Sequence, residues 1–189
     1  MKRYAVKALP TGRDNPMTHI ETTIAALRAK HSQAIEQVIS FRGETTLVVA
    51  ASAVLEICQL LRHDPSLDYS FLVDLAAVDY HPQQPRFGVC YLLHSLKQNA
   101  RLRLRVRLSE QEPRLSSVSE VWPAAEWPER EAFDLMGIEF VDHPDLRRIL
   151  MPTDWEGHPL RKDYPLGYEE VQFSFNWREI DRRKDYPQE

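Results

Sequence analysis

Arginine and aliphatic side chains alternate without interruption from residue 101 to residue 108. A period of two residues is typical of a β-strand, because successive side chains of a strand point to opposite faces of its sheet. We therefore expect a strand over 99–108 that carries guanidinium groups on one face and aliphatic groups on the other. The four arginines are Arg101, Arg103, Arg105 and Arg107.

Four further segments have the composition of strands. Residues 35–41 and 44–51 lie on either side of Gly43 and contain several β-branched side chains, which predicts a hairpin. Residues 70–80 are almost continuously apolar, which is typical of a central strand that is covered on both faces. Residues 86–94 follow as another strand after a connection that contains two prolines.

End signals predict two helices in the N-terminal half. Thr18 and Glu21 have the spacing of a capping box, in which each side chain accepts a hydrogen bond from the backbone N–H of the other residue. We therefore expect a helix that begins at Thr18. Ser52 is placed to cap a second helix, and Asp64-Pro65 is placed to end it.

The C-terminal half contains the signals of two more helices. Ser117 and Glu120 repeat the capping-box spacing, which predicts a short helix that ends at Trp122-Pro123. A longer helix is expected over 125–136, and Gly137 is well placed as its left-handed stop.

The side chains of this longer helix divide into two groups. Trp127, Phe133 and Met136 are expected to form its buried stripe. Arg130 and Asp134 are four residues apart, so they can meet on one face of the helix.

The order of these elements, α-β-β-α-β-β-β-α, indicates an α+β fold in which helices pack on a mostly antiparallel or mixed sheet. Residues 1–17 are polar and contain two prolines, so we expect an irregular lead-in. Residues 18–150 are expected to form the α+β domain. Residues 151–189 are polar and interrupted by prolines, which predicts an extended C-terminal tail that docks on a partner.

Charge is distributed unevenly along the chain. The formal net charge is −4, but residues 1–125 carry 15 Lys and Arg against 12 Asp and Glu, whereas residues 126–189 carry 9 against 16. General nucleic-acid binding needs a net basic surface, and the acidic C-terminal third argues against it. The acidic third is compatible with docking on a basic partner and equally with a solvated acidic face.

Membrane insertion, export and metal binding are each disfavoured by the sequence. The longest apolar stretch, Leu47–Leu55, is much shorter than the roughly 20 residues of a membrane span. The basic N-terminus lacks the apolar block of a signal peptide, so we expect a soluble protein that is not exported. Two cysteines are too few for an iron–sulfur cluster, which usually takes four thiolates, and Cys58 and Cys90 are too far apart for the short ligand spacings of zinc. A disulfide is conceivable, but without a secretory segment we expect two buried thiols.

The arginine strand is open to three interpretations. Its charged face can be a solvated surface that also blocks unwanted strand pairing. It can instead contact an acidic protein partner. Nucleic-acid binding is the least favoured, because aromatic residues for base stacking are not interleaved with the arginines.

Charged, aromatic and proline residues concentrate between Trp122 and Leu166. Glu129, Glu131, His143 and His158 are a conceivable carboxylate–histidine metal set, but their spacing matches no metal motif such as His-Glu-x-x-His. The chain also lacks the glycine-rich motifs of nucleotide sites and the Gly-x-Ser-x-Gly elbow of hydrolases. We expect no independent catalysis, and a metal hydrolase that uses these histidines is the alternative that elemental analysis would test.

The same segment has the composition of a docking surface. Buried charges persist only when they are paired, and this segment alternates acidic and basic residues. Prolines order an extended chain in advance and reduce the entropy lost on binding. Aromatic side chains and arginines are the usual anchors of interfaces. The aromatic residues of the predicted tail include Trp155, Tyr164, Tyr168, Phe173, Phe175 and Trp177.

These residues also resemble a known family signature. The hallmark of the 30 kDa subunit family of respiratory complex I, the NADH:quinone oxidoreductase, is similar to the run Glu129-Arg130-Glu131-x-x-Asp134-x-x-Gly137-Ile138-x-Phe140-x-x-His143-Pro144-x-Leu146-Arg147-Arg148-Ile149-Leu150. The closing motif of that family resembles Gly157-His158-Pro159-Leu160-Arg161-Lys162-Asp163-Tyr164-Pro165. The resemblance is strong over about 120–167, looser back to about residue 68 and faint before it. Phe133 and Met136 stand where relatives commonly have other aromatics.

The resemblance implies a structural subunit in the peripheral arm of a proton-translocating complex that transfers electrons from NADH to a quinone. FMN and the iron–sulfur clusters would reside in partner subunits, and this chain would hold no cofactor. Its partners would be the 49 kDa-type subunit and neighbouring cluster-bearing subunits. The complex would attach it to the cytoplasmic side of the inner or plasma membrane.

Related subunits occur in energy-converting hydrogenases and formate hydrogenlyases, and no residue of this sequence separates those assemblies from complex I. By the same resemblance, the signature residues would be structural or interface residues, and none would be a catalyst. They are Glu129, Arg130, Glu131, Asp134, Gly137, His143, Arg147, Arg148, His158, Arg161, Asp163 and Tyr164.

Overall fold

The computed structural model describes residues 18–165 and 175–183. Its α-helices are α1 (His19–His31), α2 (Val54–His63), α3 (Glu126–Met136) and α4 (Trp177–Arg183). Its strands are β1 (Ile35–Phe41), β2 (Glu44–Val49), β3 (Phe71–Asp79), β4 (Phe87–Ser95), β5 (Ala100–Leu108), β6 (Arg114–Ser116) and β7 (Glu139–Val141). The predicted lead-in over 1–17 lies outside the described residues.

The main sheet has five strands in the order β1-β2-β5-β4-β3. Its neighbours pair antiparallel except for β2 and β5, which run parallel. The prediction of an α+β fold with a mostly antiparallel or mixed sheet is therefore confirmed. A second sheet, which was not expected from the sequence, pairs the short strands β6 and β7 in parallel.

Two strand predictions agree closely with the structure. The β1–β2 hairpin turns at Arg42 and Gly43, whose φ angles of 51° and 81° both lie in the left-handed region. A two-residue turn with two positive φ angles matches the right-handed twist of the flanking strands. In β5 the aliphatic side chains are buried and the arginines are half-buried or exposed, as the period of two residues predicted.

The hydrophobic core lies on the aliphatic face of the sheet. There Leu102, Leu104 and Val106 of β5 join apolar side chains from β2 and β4. The helices cover this face, with Leu27 of α1 and Ile57 of α2 fully buried in the core. The arginine face is thus the outer face of the sheet.

The prediction that residues 70–80 form a central strand is wrong. β3 is the edge strand of the sheet, and Phe71 and Val73 are 48% and 50% exposed. The strand that is buried almost throughout is β4, which has a neighbour on each side. A continuous apolar run does not by itself distinguish an edge strand from a central one, because the order of strands depends on contacts distant in sequence.

The two helix starts predicted in the N-terminal half differ in outcome. The capping box of α1 is formed: Thr18 Oγ1 accepts from Glu21 N–H, and a Glu21 carboxylate oxygen accepts from Thr18 N–H at 2.7 Å. The prediction that Ser52 caps α2 is wrong, because Ser52 lies inside a 3₁₀ turn over Ala51–Ala53. That turn leads directly into the helix, so backbone groups begin α2 and no side chain caps it.

The short helix predicted from Ser117 is also wrong. Residues 117–122 form turns after β6, because the Glu129 carboxylate binds the Ser117 hydroxyl and the Val118 N–H. The helix predicted over 125–136 is confirmed as α3, and Gly137 ends it with a φ of 70°.

The predicted tail is described over 151–165 and 175–183. The first of these ranges lies against the α+β domain, and the second contains α4, a helix that no periodic pattern in the sequence predicted. Tyr168 and Phe173 lie outside the described residues.

Cys58 and Cys90 are buried and form no disulfide, as expected. Among the described helices, none combines the length and the apolar character that crossing a bilayer requires.

Candidate functional site

The C-terminal end of α3 is capped by the segment that carries the closing motif. A helix leaves its last four carbonyl oxygens without partners inside the helix. Here all four accept hydrogen bonds: the Phe133 oxygen from Gly137 N–H, the Asp134 oxygen from His158 Nδ1, the Leu135 oxygen from Leu160 N–H, and the Met136 oxygen from Arg161 Nε. These four bonds are 2.8–3.0 Å long. Residues 157–161 are thereby held in register with the helix end.

Asp134 fixes the start of the same segment. Its side chain is fully buried, and one oxygen accepts from the N–H groups of Ile149, Leu150 and Met151 at 2.8–3.0 Å. The other oxygen accepts from Arg148 Nη1 at 2.7 Å. Burial alone would raise the pKa of Asp134, but these four donors lower it to about 2.

Arg148 connects three parts of the segment. Besides the Asp134 carboxylate, its guanidinium group donates to the carbonyls of Trp155 at 2.9 Å and Gly157 at 3.1 Å. The planar fork of arginine suits several acceptors at once. Arg148 therefore ties residues 155–157 to α3.

Gly137 allows the motif to approach the helix end. Its φ of 70° favours glycine, and a Cβ atom there would lie 2.5 Å from both His158 Nε2 and Arg161 Nη2. Any side chain at this position would displace two residues that cap α3.

A second cluster, centred on Arg86, fastens the far end of the segment. The Arg86 side chain is 1% exposed and pairs with the fully buried Asp79 through two hydrogen bonds of 3.0 and 2.9 Å. It also pairs with Asp163 and with Glu110. Asp79 additionally accepts from Lys162 N–H at 2.8 Å.

These donors determine the ionisation of Asp79. Burial would raise its pKa, but the hydrogen bonds from Arg86, Lys162 N–H and His81 N–H hold it well below the usual range. Asp79 and Arg86 were not among the predicted site residues. Asp79 is 84 residues from Asp163 in the sequence, and no local spacing indicates that one arginine joins them.

A third cluster surrounds Glu129 on the buried side of α3. Its carboxylate accepts from Ser117 Oγ at 2.6 Å and from Val118 N–H at 2.8 Å. His143 Nε2 lies 3.8 Å from one carboxylate oxygen and bonds the Glu126 carbonyl at 3.1 Å, while its Nδ1 accepts from Asp145 N–H. Burial, partly offset by the two hydrogen bonds, raises the pKa of Glu129 to about 7.

The remaining signature residues do not share one role. Arg130 donates to the carbonyls of Arg147 and Arg148, and so does not form the pair with Asp134 that their spacing allows. Arg147 forms an exposed pair with Asp145, and Glu131 is exposed. The Tyr164 hydroxyl donates to the Glu156 carbonyl at 3.3 Å.

The conceivable metal set is not brought together. Of its four members, Glu129 and His143 are close, but Glu131 is exposed and His158 is bound to the Asp134 carbonyl. Within residues 18–165 and 175–183, no three His, Cys, Asp or Glu side chains are grouped to hold a metal ion.

Exposed apolar side chains lie in or beside residues 148–161, which are called the capped segment because they are held against the capped end of α3. Trp127 was expected in the buried stripe of α3, but it is 58% exposed and stacks against Arg130. Leu150, Trp155 and Leu160 are also exposed. A groove of about 300 Å³ lies between the edge strand β3 and α3, and Leu160 lines it. Exposed apolar groups on a rigidly held backbone are typical of a protein interface.

The free energy of unfolding should depend on pH through the titration of Glu129. The pKa of Glu129 is raised from 4.5 to about 7 in the folded state, so the folded chain binds more protons than the unfolded chain between these values. Stability is therefore greatest below about pH 4.5 for this group and declines as the pH rises to 7, by on the order of 3 kcal/mol. Glu129→Gln should remove this decline, measured by urea unfolding between pH 5 and 8.

Glu131→Gln is the matched control, because Glu131 lies two residues away on the exposed side of the same helix. It should leave the decline unchanged. Equal slopes for the Glu129→Gln variant and the unmodified chain would contradict the assignment.

Comparison with known proteins identifies the family. The family described as respiratory-chain NADH dehydrogenase, 30 Kd subunit, matches residues 47–170, and the chain belongs to it. An NADH-quinone oxidoreductase subunit of Roseiflexus castenholzii is 46% identical over 176 residues, which cover 93% of this chain and 98% of the relative. The subunit of the same name from Geobacter sulfurreducens is 47% identical over 151 residues, which cover 79% and 92% of the two chains.

The chain also resembles two solved structures. The trypsin-resistant fragment of Nqo5 matches with a TM-score of 0.58 and 31% identity, over 68% of this chain and 100% of the fragment. A chain of the membrane-bound sulfane sulfur reductase, an archaeal respiratory membrane complex, matches with a TM-score of 0.65 and 17% identity, over 89% and 95% of the two chains. The second likeness concerns the fold alone.

Proposed function

We propose that this chain is a structural subunit of the peripheral arm of a proton-translocating NADH:quinone oxidoreductase, with no catalytic centre of its own. The names of its relatives support this machine over a hydrogenase or a formate hydrogenlyase. In this role the chain holds neighbouring subunits in position, so that electrons pass from NADH to quinone through redox centres of fixed spacing. FMN and the iron–sulfur clusters belong to those neighbours.

One observation carries the proposal: several of the signature residues hold a segment in place against the end of α3. The side chains of Asp134, Arg148 and His158 form hydrogen bonds with backbone atoms, and Asp134 and Arg148 also bind each other. These hydrogen bonds give the three side chains a structural role. The side chains that the segment presents outward include the apolar Leu150 and Leu160, beside charged ones such as Asp154.

We assign this outward surface to the contact with the 49 kDa-type subunit and the cluster-bearing subunits beside it. A pre-ordered surface loses little conformational entropy when it binds, which favours a permanent interface. In this proposal the partner subunits attach the chain to the cytoplasmic side of the membrane.

The assembly of the complex tests this assignment. We expect the double substitution Leu150→Asp and Leu160→Asp to reduce the amount of full-size complex at least tenfold, since it places two charges in an apolar contact. The level of complex is measured on native gels of solubilised membranes, together with NADH:quinone activity. The purified variant chain should unfold at nearly the same urea concentration as the unmodified chain, because both leucines are exposed.

Leu96→Asp provides the control, because Leu96 is 64% exposed in the β4–β5 turn, away from the capped segment. It should leave assembly intact. A double variant that assembles at the normal level would show that the capped segment is not the interface.

A further inference from the structure

The outer face of the main sheet carries a row of arginines that the interface proposed above does not use. Arg101, Arg103, Arg105 and Arg107 project from β5, the middle strand. Directly opposite residues of neighbouring strands share a face, so the same surface includes Thr46 and Val48 of β2 and Cys90, Leu92 and His94 of β4. These residues define the outer arginine face.

Most of the positive charge on this face is not neutralised. Arg103 pairs with Glu44 at 2.8 Å. Among the described residues no ion pair or hydrogen bond engages Arg101, Arg105 or Arg107 through their side chains. Guanidinium groups two residues apart on a strand are separated by roughly 6.6 Å, so they repel one another unless an anion lies between them.

Two polar atoms on this face are buried without a partner. Arg105 Nε and His94 Nε2 are both inaccessible and form no hydrogen bond within the described part of the chain. Buried polar atoms are normally satisfied, and each orphan costs free energy. Val48, which lies opposite Arg105, is 2% exposed although it faces away from the core, so side chains of this face cover it.

The face continues into a groove at one end of the sheet. The groove has a volume of about 850 Å³, and its cations include Arg42 and Arg101, while Phe71, Val73 and Leu92 supply apolar surface. Cationic and apolar groups side by side suit an elongated ligand that offers both carboxylates and apolar side chains.

We propose that the outer arginine face is a second docking surface, and that it binds an acidic, extended segment of a neighbouring subunit in the complex. Charge complementarity carries this assignment, because a row of guanidinium groups matches carboxylates spaced along a peptide, and each guanidinium can bind a carboxylate in a bidentate manner. The assignment rests on the proposed function, since the neighbour is a subunit of the same assembly.

The surface favours a peptide over a nucleic acid. The chain as a whole has a net charge of −4, whereas nucleic-acid binding draws on a basic surface of larger extent. The residues opposite the row include Thr46, Val48 and Leu92, and the ring of His94 is not part of a series of aromatic stacking platforms.

Zero-length crosslinking in the purified membrane complex tests the proposal. A carbodiimide condenses a lysine amine with a carboxylate in contact with it and forms an amide. Arg105→Lys and Arg107→Lys keep the charge and introduce the reactive amine. We expect each to link to an Asp or Glu in an acidic stretch of a second polypeptide, identified by mass spectrometry of the crosslinked peptides.

Arg114→Lys is the matched positive control, because Arg114 pairs with Glu139 of the same chain at 3.0 Å. It should give an internal link in the same reaction. If only this control reacts, or if the Arg105→Lys and Arg107→Lys side chains link solely to this chain, the proposal is overturned. Absence of the chain from the complex would instead refute the proposed function.

A second measurement is the rate at which salt releases the chain from the complex. The double substitution Arg105→Gln and Arg107→Gln should increase the rate of release from the complex in 0.5 M NaCl roughly tenfold, since it removes two intermolecular ion pairs. Arg28→Gln on the exposed side of α1 should not. Unchanged release would count against the docking surface. Charge-dependent binding of phosphatidylglycerol vesicles or of a single-stranded oligonucleotide, without a crosslink, would assign the face to a different ligand and overturn the proposal.

Discussion

Arg86→Met is expected to lower the free energy of unfolding of the chain by about 3–5 kcal/mol, because it leaves a buried carboxylate without its counter-charge. Arg86 is 1% exposed and Asp79 is fully buried, so water cannot replace the lost partner. The two backbone N–H groups that bind Asp79 remain, but they carry no net charge. Urea unfolding of the purified chain at pH 7 measures the effect.

The acid sensitivity of the variant provides a second readout. The pKa of Asp79 is lowered in the folded state, so its contribution to stability is present above the unfolded pKa of about 4 and is lost as the pH falls below that value. Without Arg86 the folded pKa should rise, and the variant should lose less stability than the unmodified chain between pH 4 and pH 2.

Arg103→Met is the control for this experiment. The Arg103–Glu44 pair has a similar distance of 2.8 Å, but its side chains are 30% and 64% exposed. Its loss should cost at most about 1 kcal/mol. Equal destabilisation by the two substitutions would show that the Arg86 cluster does not depend on burial.

Asp134→Asn should produce the second large effect, a loss of about 3 kcal/mol. The substitution preserves the shape of the side chain but removes the charge that holds four donors, three of them consecutive backbone N–H groups. The side-chain NH₂ group of the new asparagine would face some of the N–H groups that now bind the carboxylate, and those N–H groups would then have no acceptor. Urea unfolding measures the loss of stability.

The same variant should loosen one segment more than the rest of the chain. Hydrogen exchange of the Ile149, Leu150 and Met151 amides should accelerate strongly, while exchange in β4 and β5 follows global stability. Asp145→Asn is the control, because Asp145 forms its pair with Arg147 at the surface and should change little. Uniform acceleration along the chain would contradict a local role for Asp134.

The features that could be predicted from the sequence are those with local causes. The alternation in β5, the hairpin around Gly43 and the capping box of α1 each depend on residues within a few positions of one another. The Gly137 stop of α3 belongs to the same class. Such patterns report backbone conformation directly, so they agree with the structure.

The features that were missed depend on distant partners. Phe71 and Val73 lie in an apolar run, but only the order of strands makes them an exposed edge. Ser117 has a capping-box spacing, yet Glu129 binds its hydroxyl from another element and prevents the helix. Where competing acceptors come from elsewhere in the fold, local signals are overridden.

The resemblance located the candidate site, but the sequence did not show which face of α3 is buried. The buried face of α3 carries Glu129, Arg130 and Asp134, while Trp127 is exposed. A hydrophobic stripe is the usual guide to the inner face of a helix. Here Phe133 and Met136 are partly buried against the core, as predicted, but Trp127 is not. Buried charges of this kind are recognisable only when their partners are known, and the partners of these three side chains lie 11 to 18 residues away in the sequence.

The capping of α3 by residues 157–161 has a consequence for how the chain can change in length. Each donor of that segment matches one particular carbonyl at the helix end, so deleting or adding one residue there would shift every donor to the wrong acceptor. Insertions are instead tolerable in the β4–β5 turn, whose ends are already joined by strand pairing. Homologous chains should therefore differ in length at that turn and keep a constant count between Gly157 and Arg161.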